Sequence, residues 1–312
     1  MKFGITRLVI GFSGFIEIDK AEYERIKVAR TNLLELLLLE ETFDVLIENF
    51  QEYEAELLSI ASRDLVFSFH DDNSISRERI IVARRIVNLL SACKMYLDQS
   101  IHHLTTMYGE NSEKVEVVRN KTNNYYDNNF GYRVLESLRN YAQHRGFPIH
   151  SIMLLGEWLD IEDEDKSRLH HSVIPRISVQ VLESDGKFKQ DVLKEMQEAQ
   201  GKHGLDIRPL IREYVECIGL LHEFIREITR DDLTEWESIF NKVTEKVQQE
   251  YGQDAPLTSW ATATKNEKGQ ITERITIHKE FIKRRQAFEK KNAIFVNLRK
   301  RYASNEIRRK DA

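Results

Sequence analysis

Apolar residues recur every three or four positions along much of the chain, which is the period of an amphipathic α-helix. This pattern predicts a long helix, or a kinked pair of helices, over residues 20–65, where neither Gly nor Pro interrupts the run. A second long helix is predicted over residues 77–108, after a polar break at 70–76 that offers several N-cap residues. A third is predicted over residues 207–251.

Shorter elements are predicted between the second and third long helices. Residues 112–120 are typical of a short helix, and the Asn-rich segment that follows, residues 123–129, is predicted to be a loop. A helix over residues 131–145 comes next. Gly146 as a left-handed C′ residue, with Pro148 close behind it, is expected to end that helix.

The pattern of apolar and polar residues changes after Pro148. Apolar and polar residues alternate at period two over residues 150–160 and 174–183, which predicts a small sheet or hairpin. A second strand pair is predicted at 259–264 and 270–278, around a turn at 266–269. The expected fold is therefore mainly α, with a helical domain at 1–148 and an accessory α+β region at 149–312 that ends in a basic helix.

Composition agrees with a helix-dominated protein. The 312 residues include only 13 Gly and 4 Pro, and 31% are charged, which excludes collagen-like, Pro/Gly-rich disordered and β-rich repeat classes. The two cysteines, Cys93 and Cys217, lie among apolar residues and are expected to be buried thiols in a reducing compartment. The N-terminal segment lacks a convincing cleavage site, and no apolar run approaches the length of a membrane span. A cytoplasmic location without a membrane partner is expected.

The charge is unevenly distributed. The net charge is −5, yet residues 279–312 contain twelve Lys or Arg residues and only four Asp or Glu residues. The basic C-terminal segment leaves two interpretations open. It is either a local phosphate-binding face or a solvated helix that pairs with the acidic remainder of the chain.

The most informative stretch is RNYAQH, residues 139–144, near the end of the predicted helix 131–145. At 100° per residue, Asn140 and His144 share a polar face opposite the apolar stripe, and i,i+4 neighbours can form a hydrogen bond. Arg139 lies at the edge of that face. It points roughly 140° away from His144, so one helix alone brings the two side chains together poorly.

These residue types suit the cleavage of RNA without a metal or other cofactor. An imidazole, whose unperturbed pKa lies near neutrality, can take the proton from a ribose 2′-hydroxyl. A guanidinium can stabilise the charge that builds on the phosphate oxygens. Because Arg139 and His144 diverge on one helix, two copies facing each other across a two-fold axis would bring both into one cleft. The hypothesis therefore includes a homodimer.

The run RNYAQH resembles the signature of the HEPN superfamily, in which Arg, usually followed by a polar residue, precedes His by four to six intervening residues. The resemblance implies a helical bundle over residues 20–148 that dimerises through the motif helix. It implies an RNA endonuclease of a toxin–antitoxin or antiviral-defence system, with an antitoxin or defence partner and with Arg139, Asn140 and His144 in the site. It does not cover residues 149–312, and some members of the superfamily are not catalytic.

Four further residues are candidates for binding the RNA substrate. Tyr125 and Tyr126 in the Asn-rich segment could stack on exposed bases, and Arg133 and Glu136 share the polar face of the motif helix. Two alternatives remain. Arg139 could form a surface ion pair with Glu136 while His144 caps the helix end. The chain could also be a non-catalytic scaffold or regulatory module. No metal-binding or nucleotide-loop spacing is present in the sequence.

Overall fold

The computed structural model describes residues 1–67, 71–161, 167–255, 258–277, 279–293 and 297–303, and it is mainly helical with small antiparallel sheets. The helices are α1 (Lys20–Val66), α2 (Asp72–Tyr108), α3 (Glu113–Asn128), α4 (Phe130–His144), α5 (Val179–Ser184), α6 (Gln190–Ala199), α7 (Arg208–Tyr251) and α8 (Glu280–Lys291). The strands are β1 (Lys2–Arg7), β2 (Ile16–Ile18), β3 (Ser151–Leu159), β4 (Arg168–Ile177), β5 (Leu205–Asp206), β6 (Trp260–Lys265) and β7 (Ile271–Ile277).

The three long predicted helices are confirmed as α1, α2 and α7. Two of them are immediately preceded by an aspartate whose carboxylate accepts a hydrogen bond from a backbone N–H of the first turn. Asp19 accepts from Glu22 at 2.7 Å, and Asp71 accepts from Ser74 at 2.7 Å. These side chains satisfy backbone donors that a helix start leaves without a partner inside the helix.

The Asn-rich segment was predicted as a loop, and this prediction is wrong. The short helix continues through it to Asn128, with Asn123, Asn124 and Asn128 exposed on its surface. The side chain of Asn128 donates to the carbonyl of Asn124, and that of Asn129 donates to the carbonyl of Tyr125. The weak helix propensity of asparagine costs only a fraction of a kcal/mol per residue, so these asparagines do not break the helix.

The strand predicted at 174–183 is only partly confirmed. Strand β4 ends at Ile177, and helix α5 follows, with Ser178 as its N-cap. Val179 and Leu182 are both buried, and their i,i+3 spacing fits one face of a helix as well as the local alternation fits a strand. The hairpin itself exists, since β3 pairs antiparallel with β4, and β5 extends it to three strands.

The second sheet contains two strands that were not predicted from the sequence. Strands β6 and β7 form the predicted hairpin, and its described part runs from Trp260 to Ile277. The N-terminal strands β1 and β2 extend this hairpin to four strands in the order β2-β1-β6-β7. Phe3 lies opposite Thr264 and Arg7 lies opposite Trp260, so the partner of β1 is more than 250 residues away along the chain.

The chain forms two compact units. The first comprises residues 1–45, 96–119 and 222–293, with an apolar cluster that includes Trp236, Phe240 and Trp260. The second comprises residues 46–95, 120–221 and the described residues from 297 onward. Each unit contains residues from both sides of the sequence boundary at 148. The motif helix belongs entirely to the second unit.

The basic C-terminal segment pairs with acidic residues where the structure describes it. The guanidinium of Arg284 contacts Glu41, and Lys291 lies 2.8 Å from Asp44. Arg285 is buried and bonds to Glu289 at 2.7 Å and to Glu237 at 3.3 Å. These contacts support the second of the two interpretations of the segment, a helix neutralised by the acidic remainder of the chain.

Both cysteines are free and buried, as predicted. Burial raises the pKa of the Cys217 thiol to about 12 and moves that of Cys93 well above its ordinary value. Both thiols are therefore protonated at neutral pH and do not act as nucleophiles. Within the described residues, no helix combines the length and the apolar character needed to cross a bilayer.

Candidate functional site

Helix α4 is held by a buried apolar stripe. Val134, Leu135 and Leu138 are fully buried, whereas Asn140 and His144 are exposed on the opposite side. The helical pattern predicted this division, and the structure confirms it. The motif side chains therefore project from a helix whose other face is fixed by packing.

The start of α4 packs closely against α7. The backbone N–H of Gly131 donates to Glu213 at 2.6 Å, and a Cβ at this position would lie 2.8 Å from the carbonyl oxygen of Leu210. Glycine is therefore required here by space. One turn later the hydroxyl of Tyr214, on α7, donates to the carboxylate of Glu136. The helix is anchored before it reaches the motif.

The end of α4 differs from the prediction. The helix stops at His144, but Gly146 does not have a positive φ and is not a left-handed C′ glycine. The N–H groups of Arg145 and Gly146 both donate to the carbonyl of Tyr141, at 2.9 and 3.4 Å. A Cβ on Gly146 would lie 2.6 Å from the Tyr141 hydroxyl, so this glycine makes room for the tyrosine.

The side chain of Asn140 does not bond to that of His144, as the helical spacing predicts, but to that of Arg139. The Oδ1 atom of Asn140 accepts from Nη1 of Arg139 at 3.1 Å instead. Among the described residues His144 has no hydrogen-bond partner, and its side chain is exposed to solvent. Arg139 forms no ion pair with Glu136 in the described part of the chain, so that alternative receives no support.

A pocket of about 430 Å³ lies beside the motif helix. Asn140 and His144 line it, whereas Arg139 does not, in agreement with the divergence expected on one helix. The remaining lining residues come from α3, from α4 and its end, and from the connection between α5 and α6. They are Tyr126, Glu136, Ser137, Tyr141, Arg145, Lys187, Phe188 and Lys189.

Cations surround the pocket, and most of them have partners. Arg145 forms an ion pair with Asp185. Lys189 donates to the Tyr126 hydroxyl and lies 4.8 Å from the centre of that ring. The hydrogen bond with Tyr126 raises the pKa of Lys189, so its ammonium keeps its charge. Lys187 is exposed and has no hydrogen bond or ion pair with any described residue.

The four predicted substrate-binding residues have different positions. Tyr126 and Glu136 line the pocket, whereas Tyr125 does not. The ammonium nitrogen of Lys121 lies 5.5 Å from the centre of the Tyr125 ring. Arg133 also lies outside the lining. Its guanidinium bonds to Glu195 and to the carbonyls of Tyr126 and Asp127, so it ties the α3–α4 junction to α6.

Lys187, Phe188 and Lys189 are pocket residues that the sequence analysis missed. They precede α6, more than forty residues after the motif, and only the tertiary fold brings them to His144. The local signal for them is an aromatic residue between two lysines, a pattern that suits contact with nucleic acid. Many surface segments contain such a triplet, so it has little specificity by itself.

Comparisons of the chain with protein-family models, with curated proteins and with solved structures find no match. The HEPN resemblance of residues 139–144 therefore stays a prediction. In the described part of the chain, no group of three or more His, Cys, Asp or Glu side chains is placed to hold a metal ion. The arrangement places an exposed imidazole next to a cationic, aromatic pocket, which suits proton transfer to or from a bound phosphate ester.

Proposed function

We propose that the chain is a metal-independent RNA endonuclease of a toxin or antiviral-defence type. It acts as a homodimer with a composite site made of Arg139, Asn140 and His144. The observation that carries the proposal is His144 at the end of a packed helix, beside Asn140 and a pocket with surrounding cations. Its side chain is exposed and has no partner among the described residues. A histidine without a structural partner in such a place is available for proton transfer.

Each residue has a distinct role in the proposed reaction. His144 takes the proton from the ribose 2′-hydroxyl, and the 2′-oxygen forms a bond to the adjacent phosphorus. The bond from phosphorus to the 5′-oxygen breaks, that oxygen takes a proton from water, and His144 then releases to solvent the proton that it took from the 2′-hydroxyl. Arg139 stabilises the charge on the phosphate oxygens, and Asn140 orients Arg139 through the 3.1 Å hydrogen bond. The products are a 2′,3′-cyclic phosphate and a 5′-hydroxyl.

The position of Arg139 supports the proposed dimer. Its side chain does not line the pocket that contains His144, so one chain does not place guanidinium and imidazole on the same phosphate. Two α4 helices facing each other across a two-fold axis would place Arg139 of one subunit beside His144 of the other. An isologous contact of this kind uses the same surface twice and needs no further partner.

The test is cleavage of single-stranded RNA by the purified protein in excess EDTA. We expect cleavage to continue without divalent ions and to leave 2′,3′-cyclic phosphate ends, which a cyclic-phosphatase step followed by gel analysis detects. Intact RNA after prolonged incubation, or cleavage that stops on chelation, would contradict the proposal.

One observation favours a second candidate, a non-catalytic RNA-binding or regulatory module. Arg139 and His144 do not converge within one chain, and a cationic, aromatic pocket can bind RNA without reacting with it. Retention of RNA on the protein with no cleavage at any protein concentration would support this candidate over the nuclease.

A further inference from the structure

The pocket beside His144 combines cations with an aromatic wall. We infer that it is the binding site for one unpaired nucleotide of single-stranded RNA, with the phosphate on Lys187 and the base against Tyr126, Tyr141 and Phe188. This inference rests on the proposed function for its choice of RNA, and it names the substrate class of the same site.

The charges identify the phosphate position. The charge of Arg145 is met by Asp185, and the ammonium of Lys189 is engaged by Tyr126. Among the described residues, Glu136 is the carboxylate that lines the pocket, and it accepts a hydrogen bond from the Tyr214 hydroxyl. Lys187 is exposed and has no partner among the described residues, so its charge is available to an anion. An ammonium and a phosphate oxygen form a strong, charge-assisted hydrogen bond.

The aromatic wall suits a nucleobase. Phe188 is buried beneath the pocket, and its ring meets that of Tyr141 nearly edge-on, with 6.3 Å between the centroids. Tyr126 also lines the pocket, and its hydroxyl accepts a hydrogen bond from Lys189. Burial and the nearby Asp185 raise the pKa of Tyr141, so its phenol stays neutral. Neutral aromatic side chains are the usual platforms for unstacked bases, whatever the base.

The size of the pocket favours a single strand. Its volume of about 430 Å³ lies within the range of sites that hold one small organic ligand. A base inside a duplex remains stacked and paired, and it enters a concave site only after unpairing, which costs a few kcal/mol. Because Asn140 and His144 line the same pocket, the phosphate next to the bound nucleotide would meet the imidazole.

The test measures binding separately from cleavage. The probe is a fluorescent 2′-O-methyl RNA of twelve nucleotides, which lacks the attacking hydroxyl, and its anisotropy is titrated with the full chain at several salt concentrations. We expect Lys187→Ala to weaken binding about fivefold at 0.1 M salt and to reduce the slope of log K against log salt by about 0.7, the loss of one phosphate contact. The control is Lys202→Ala, an exposed lysine of the same unit outside the pocket, which should change neither quantity.

Two comparisons decide the inference. Unchanged binding and slope in Lys187→Ala, or equal affinity for the same RNA annealed to its complement, would overturn it. If wild type cleaves RNA while Lys187→Ala binds normally, the pocket assignment fails and the proposed nuclease stands. If binding depends on Lys187 but unmodified RNA remains intact, the nucleotide site stands and the proposed nuclease fails.

Discussion

The variant His144→Ala is expected to cleave RNA about 10²- to 10⁴-fold more slowly than wild type in EDTA, the usual contribution of a group that transfers a proton in the transition state. Its stability should change little, within about 0.5 kcal/mol, because the side chain is exposed and has no partner among the described residues. Initial rates on a single-stranded RNA, together with a urea unfolding curve for each protein, measure the two effects separately.

The matched control for this variant is His203→Ala. His203 is an exposed histidine of the same unit, lies in a turn and does not line the pocket. Its replacement should leave the cleavage rate unchanged. Equal rates for His144→Ala and wild type would contradict the role of the imidazole in the reaction.

The variant Glu40→Ala is expected to lower the free energy of unfolding by about 3–5 kcal/mol, because it removes one partner of a buried charge cluster. The Glu40 side chain is only 3% exposed and accepts from Nε and Nη2 of Arg226 at 2.8 and 2.7 Å. The Nε2 atom of His222 lies 3.2 Å from the same carboxylate, and its Nδ1 atom lies 2.9 Å from the Tyr96 hydroxyl. Alanine would leave the Arg226 guanidinium without its carboxylate.

The next residue provides the control. Glu41 also pairs with an arginine, Arg284, but the pair is much more exposed, at 30% and 58% of the two side chains. Surface pairs of this kind contribute less than about 1 kcal/mol, so Glu41→Ala should unfold at nearly the wild-type urea concentration. Similar losses for Glu40→Ala and Glu41→Ala would show that the buried cluster contributes no more than an exposed pair.

The same cluster predicts a loss of stability in acid. Burial alone raises the pKa of Glu40, but hydrogen bonds from Arg226 and His222 lower it to about 2, so its contribution is complete above pH 4.5 and is lost between pH 4.5 and 2. Burial lowers the pKa of His222 below 6.5. As the pH falls below 6.5, the imidazole therefore binds a proton in the unfolded chain more readily than in the folded chain. We therefore expect the free energy of unfolding to fall as the pH drops below 6.5, and a flat profile from pH 7 to pH 4 would contradict this prediction.

The helices were predictable from sequence because their signals are local. The apolar period of three and four fixes α1, α2 and α7, and it also fixes the face on which Asn140 and His144 lie. The error in the Asn-rich segment has a physical reason, because the low helix propensity of asparagine costs too little to end a helix that has already formed. The strand prediction for the segment after Ile177 is wrong for a related reason, since four or five residues of alternating apolar and polar character fit a short helix equally well.

The features that complete the pocket depend on contacts between distant segments. Nothing near Lys187 in the sequence indicates that it lies in the same pocket as His144, and nothing in residues 2–7 indicates a partner strand at 260–265. The role of Gly146 was missed for the same reason, because what it contacts is the side chain of Tyr141. Periodicity predicts elements and faces, whereas the composition of a pocket follows from the packing of those elements.

The most direct test of the composite site is cleavage by a mixed dimer. Arg139→Ala and His144→Ala are co-expressed with different affinity tags, and the species that carries both tags is purified and assayed on RNA in EDTA. We predict that each variant alone is nearly inactive and that the mixed species regains cleavage, because Arg139 of one subunit meets His144 of the other. A mixed species as inactive as its parents, alongside an active wild type, would contradict the composite site.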